Sequence, residues 1–72
     1  MLESQLAMEF GKRYRAAEKG LVVTTIHLFA IEFADELSGH SLKEICRAAD
    51  VPESYYTELH KGIRLAAFVR LK

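Results

Sequence analysis

Three histidines, His27, His40 and His60, and one cysteine, Cys46, are the side chains of this 72-residue chain best able to hold a metal or attack a substrate. Zinc sites draw ligands from short paired spacings, because one turn must present two donors to the same ion. Here the four residues stand at least six positions apart, so no metal centre is expected. No Ser-His-acid set, phosphate-cradling glycine loop or pair of carboxylates in an evident cleft can be assembled either. The chain therefore reads as a non-enzyme without a cofactor. His27 fits a core-edge position bonded to a backbone carbonyl, and His40 fits a turn. Cys46 falls where a helix would bury it, and a buried thiol stays protonated and inert.

Binding chemistry is concentrated further along, in Lys43, Arg47, Glu53, Ser54, Tyr55, Thr57, Glu58, Lys61 and Arg64. Hydroxyls and cations of this kind bond to phosphates and base edges, and a glutamate can accept from cytosine N4. Glu53 and Glu58 nevertheless oppose the approach of a polyanion, and no arginine accompanies them on the same face to read guanine. Overall, 10 Lys and Arg balance 10 Asp and Glu, whereas an autonomous nucleic-acid binder usually shows a basic excess. Residues 1–40 hold four cations and six carboxylates, and residues 41–72 hold six and four. The cationic skew thus lies in the half that carries the candidate site. Tyr55 and Tyr56 diverge by about 100° if helical. Tyr56 then faces the core, while Tyr55 is exposed beside Ser54 and Glu58 as an anchor for a protein partner, or packs on the first helix.

The elements that must position these groups are helical. Half of the residues are apolar and 28% are charged, a globular composition too hydrophobic for a disordered tail. Seventy-two residues form one domain, 1–72, near the size at which a core becomes thin and partners often add stability. Apolar residues recur at helical spacing in Leu2, Leu6, Phe10, Tyr14 and Ala17, with Ala7 and Met8 widening the stripe. Lys12, Arg13, Arg15 and Lys19 gather towards the end of that helix, where cations complement its dipole. A second helix is expected over about Val22–Ser38, with Ile26, Phe29, Ala30, Phe33 and Leu37 inward and Leu28 and Ile31 at the sides. It is apolar over most of its circumference, which suits a central helix that also supplies a subunit interface. Gly20 and Gly39 mark the two helix ends.

Ser41-Leu42-Lys43-Glu44 is a capping box that starts a helix at Leu42. This helix is short, because Asp50-Val51-Pro52 follows and Pro52 suits the first turn of the next one. The last helix is expected from Pro52 or Glu53 to Lys61, with Gly62 as its end or a weak point. Residues 63–72 read equally as a continuation, a fifth helix or an extended segment. The fold class is therefore all-α, a small bundle of four to five helices.

The stretch Leu42–Lys61, LKEICRAADVPESYYTELHK, resembles the helix-turn-helix of small bacterial repressors. Ile45 and the small Cys46 match the inward and close-crossing positions of the first helix, Ala49 and Val51 the buried turn, and Tyr56 and Leu59 the apolar positions of the second. The family favours a left-handed glycine in the turn, and here Asp50 stands there, one of the few non-glycine residues that tolerate that region. Three further segments, Ile26-His-Leu-Phe, Ala34-Asp-Glu-Leu and Ser54-Tyr-Tyr-Thr-Glu-Leu-His-Lys-Gly, look like parts of small bacterial proteins described only as helix-turn-helix-like.

The resemblance implies that the start of the second helix enters a DNA major groove, with Pro52, Glu53, Ser54, Tyr55, Thr57, Glu58 and Lys61 outward and Lys43, Arg47 and Arg64 on flanking phosphates. The expected activity is that of a transcriptional regulator binding double-stranded DNA as a homodimer. The rival is a module of the same fold that uses Tyr55, Glu53 and Glu58 to bind another regulator and not DNA. One cysteine excludes an internal disulfide, and neither a secretory signal nor a membrane segment is visible, so a cytoplasmic location is expected.

Overall fold

A computed structural model describes all 72 residues as an all-helical bundle without strands. Helix α1 spans Glu3–Ala16, α2 Val22–Glu32, α3 Ala34–Leu37 and α4 Leu42–Ala48. A 3-10 turn, Glu53–Tyr55, then leads into α5, Tyr56–Leu65.

The first helix buries Leu6, Ala7, Phe10 and Gly11, the stripe that its spacing dictates. Leu2, expected at the start of that stripe, and Met8 point outward instead. The cations of its last turns do more than meet the helix dipole. Arg13 bonds to Glu9 at 2.7 Å and to Glu32 of α2 at 3.0 and 3.1 Å, and its guanidinium lies 5.2 Å from the centre of the Phe33 ring. The Glu32 carboxyl is held below its ordinary value by that hydrogen bond.

Ile26, Phe29 and Ala30 of α2 are fully buried, and Phe29 stacks on Phe10 with ring centres 5.0 Å apart. The single helix expected over Val22–Ser38 is in fact two. Phe33 leaves the helical region at φ −108° and ψ 23°, although its N–H still reaches the Phe29 carbonyl. Its ring is held between Phe29 and Arg13, and α3 restarts from it to bring Leu37 into the core.

At Ser41 only half of the expected capping box forms. The Ser41 hydroxyl accepts from the Glu44 N–H at 3.3 Å, but the Glu44 carboxylate turns to Arg47 instead of back to Ser41. An ion pair across one helical turn has displaced the reciprocal bond.

Helix α5 packs mainly on α2. Gly62 neither ends it nor weakens it: a Cβ there would stand 2.5 Å from the Ala30 Cβ and 2.9 Å from the His27 carbonyl oxygen. The two backbones meet at a separation that only glycine permits. The helix therefore runs past Gly62 to Leu65, residues 66–68 form a turn, and residues 69–72 have no regular structure. A second close approach joins α1 to α4, where a Cβ on Gly11 would meet the Ala49 carbonyl oxygen at 2.8 Å. Twelve apolar residues drawn from all of these helices and the loop before the 3-10 turn form one core.

Candidate functional site

Two short helices joined by a tight turn, α4 and α5, make the candidate site. Ile45, Cys46, Ala49, Val51 and Leu59 are buried between them and the rest of the bundle. Asp50 has φ 59°, so the left-handed turn position is occupied as the sequence pattern requires. The turn closes through Val51 N–H to the Cys46 carbonyl at 2.9 Å and Asp50 N–H to the Arg47 carbonyl at 3.1 Å. Arg15 of α1 donates to the Ala49 carbonyl at 3.0 Å, which satisfies one of the acceptors left over at the end of α4. Desolvation pushes the Cys46 thiol up to about 11, and in this buried state it is unreactive.

The second helix begins differently from expectation. Pro52 sits at ψ 129° outside it, and Glu53–Tyr55 form a single 3-10 turn before α5 proper. This tightened start aims Glu53 back at α4, where its carboxylate meets Arg47 at 3.0 and 3.4 Å. Arg47 is thus clasped by Glu53 and Glu44 and does not stand free for a phosphate. Glu58 is likewise turned inward: its Oε1 lies 2.8 Å from Nε2 of His27, and its Oε2 lies 3.4 Å from the Lys61 ammonium. The bond to His27, with Lys61 adding to it, holds the Glu58 carboxyl below the usual carboxylate range. His27 therefore answers a carboxylate of α5 and not a backbone carbonyl.

Of the two placements expected for Tyr55 the structure has the second: it is half-buried against Tyr14 of α1, ring centres 5.8 Å apart, and is not an exposed anchor. Tyr56 is only half-buried and does not enter the core, and Lys43 of α4 lies over its ring at 4.9 Å. Ser54, Thr57, Lys61 and Arg64 are exposed, and the Thr57 hydroxyl donates to the Ser54 carbonyl at 3.1 Å. Arg64 makes no ion pair.

One residue of this face escaped the sequence reading. His60, weighed there only as a metal ligand, is exposed and lines a shallow cleft of about 250 Å³ with Tyr56, Thr57, Lys61 and Arg64. The spacing 57, 60, 61, 64 is that of one helix face and carried the signal. No three His, Cys, Asp or Glu side chains stand close enough together to hold a metal ion, and no helix is long and apolar enough to cross a membrane.

No curated protein and no solved structure matches the chain. A family model described as an HTH-like domain matches residues 2–72, from before α1 to the last residue. With a left-handed turn between two short packed helices on the page and nearly the whole chain covered, the protein belongs to the HTH-like domain family.

Proposed function

We propose that this protein is a cytoplasmic DNA-binding regulator that acts as a dimer, with the 3-10 turn and the first turns of α5 entering the major groove. One observation carries this reading. The two carboxylates that would repel a duplex are each committed within the same molecule, Glu53 to Arg47 and Glu58 to Lys61 and the His27 ring. Lys43, over the Tyr56 ring, and Arg64, in the cleft with Thr57 and His60, remain without carboxylate partners. A surface that composition makes neutral is therefore cationic in the part that matters. Ser54 and Thr57 offer hydroxyls to bases or phosphates, and Lys43 and Arg64 hold the backbone. No catalytic role and no cofactor are part of the proposal.

Binding to genomic DNA fragments at two salt concentrations tests it. Two copies with two free cations each neutralise on the order of four phosphates, which gives a slope of log affinity against log salt of about −4. Lys43→Ala and Arg64→Ala should each reduce the magnitude of that slope by about 1 per copy. Absence of retention even at low salt overturns the reading.

The rival reading, in which the same face grips another regulator, is favoured by the net charge of zero and by the commitment of Arg47. Its anchor cannot be Tyr55, which Tyr14 covers in part. Co-purification of a partner that Thr57→Arg releases, with no DNA retention, would select it.

A further inference from the structure

Helix α2 is flanked by two clefts. One, of about 370 Å³, lies against α1 and includes Ala16, Ala17, Leu21, Thr25 and Leu28. The other, of about 410 Å³, lies against α5 and is bordered by His27, Leu65 and Phe68. Between them, opposite the buried face of α2, helical geometry places Thr24, Leu28 and Ile31 along an outward ridge. That ridge bears no charge, since the only ionisable groups of α2, His27 and Glu32, are bonded sideways to Glu58 and Arg13.

Leu21, Leu28 and Leu65 are each more than 40% exposed, and Phe68 is 86% exposed. We propose that this surface, the α2 ridge with Phe68 beside it, is where a second copy of the chain docks. The inference rests on the dimeric reading above and names its interface.

A second copy is the occupant that the electrostatics favour. A two-fold contact sets each patch against its own image, so any charge near the axis would meet a like charge. The neutral ridge avoids that conflict, and the charged residues nearby border the two clefts, Arg13 and Glu18 on the α1 side and Lys61 and Arg64 on the α5 side. The area is sufficient. Large apolar side chains present ~150–250 Å² each, so the exposed fractions here leave roughly 400–500 Å² per copy. Two copies then bury roughly 800–1,000 Å², the upper end of which meets the ~1,000 Å² at which a specific interface becomes tenable. Lys61 and Arg64 border the second cleft and fall at the rim, where charged side chains stay hydrated.

Sedimentation of the full chain over about 1–100 µM tests the proposal. The mass should rise with concentration from 8.2 kDa towards twice that value. Leu28→Lys and Phe68→Ser, both at exposed positions and checked for retained helicity by circular dichroism, should each weaken association by roughly 30-fold. Met8→Lys, at an equally exposed apolar residue of α1, should leave it unchanged. A wild-type chain that stays monomeric throughout, or a dimer that survives both ridge variants, overturns the proposal. The outcome is separable from that for DNA: a dimer that retains DNA and survives both ridge variants sinks the interface alone, and a ridge-dependent dimer without DNA retention sinks the DNA reading alone.

Discussion

Glu58 shows how far a side chain's role depends on what it touches. By position it belongs to the outward face of the second helix, where it would repel phosphate. Its carboxylate instead lies within 2.8 Å of a ring nitrogen of His27, a residue 31 positions away, and no spacing rule reports a pairing at that distance. Its lowered pKa sets a pH dependence with a definite sign. A carboxyl whose folded value lies below its unfolded one adds stability that is complete above the ordinary value, 4.5, and is lost as pH falls through the lowered folded value. In acid unfolding followed by circular dichroism, the stability of the wild type should thus decline more steeply below pH 4.5 than that of Glu58→Gln. Coincident slopes would show that the pair does not persist in solution. Asp50 lies at the opposite extreme of legibility. Its left-handed conformation followed from the motif alone, because turn geometry is local and few residues tolerate it.

At the level of the helices, Gly62 decides how α2 and α5 meet. Helix propensity alone would award Gly62→Ala a gain of about 1 kcal/mol. The added methyl would overlap Ala30 and the His27 backbone, neither of which can swing aside, and overpacking of this kind costs about 1–3 kcal/mol. Urea unfolding should therefore give a net loss of stability, and a gain would mean that the two helices stand further apart than described. The same residue explains why the sequence alone left the end of α5 open between Gly62 and a continuation beyond it. Glycine in a helical stretch signals either a stop or a close crossing, and which of the two applies depends on Ala30, far away in the chain. The start of α4 at Ser41 and the buried set Ile45, Cys46, Ala49, Val51 and Leu59 were legible because each rests on local spacing and capping, whereas α1 stops at Ala16, short of the end that Gly20 suggested. The break at Phe33 was not, since neither glycine nor proline marks it and the cause is ring packing against Phe29 and Arg13. The 3-10 turn before α5 was hidden for a similar reason, as its first residue is drawn back by Arg47.

On the scale of the molecule, the helix-turn-helix is not a detachable unit. Phe10 of α1 and Phe29 of α2 stack beneath it, Arg15 of α1 ties the end of α4, and the core draws on every helix. This fits a family match that runs over residues 2–72 and not over the motif alone. It also gives Cys46 an unforeseen use. As the sole sulfhydryl of the chain, sealed where α4 meets the rest of the bundle, it is a natural clock for spontaneous opening. An aromatic disulfide dye can modify it only in molecules that have come apart. When reclosure outpaces modification, the labelling rate relative to the denatured chain equals the open fraction. Agreement of that fraction with the constant extrapolated from urea is the expected result, and it would mean that the bundle lives and dies as one body. Much quicker labelling would reveal a partial excursion in which α1 swings off alone, baring the underside of the motif while the remainder stays shut.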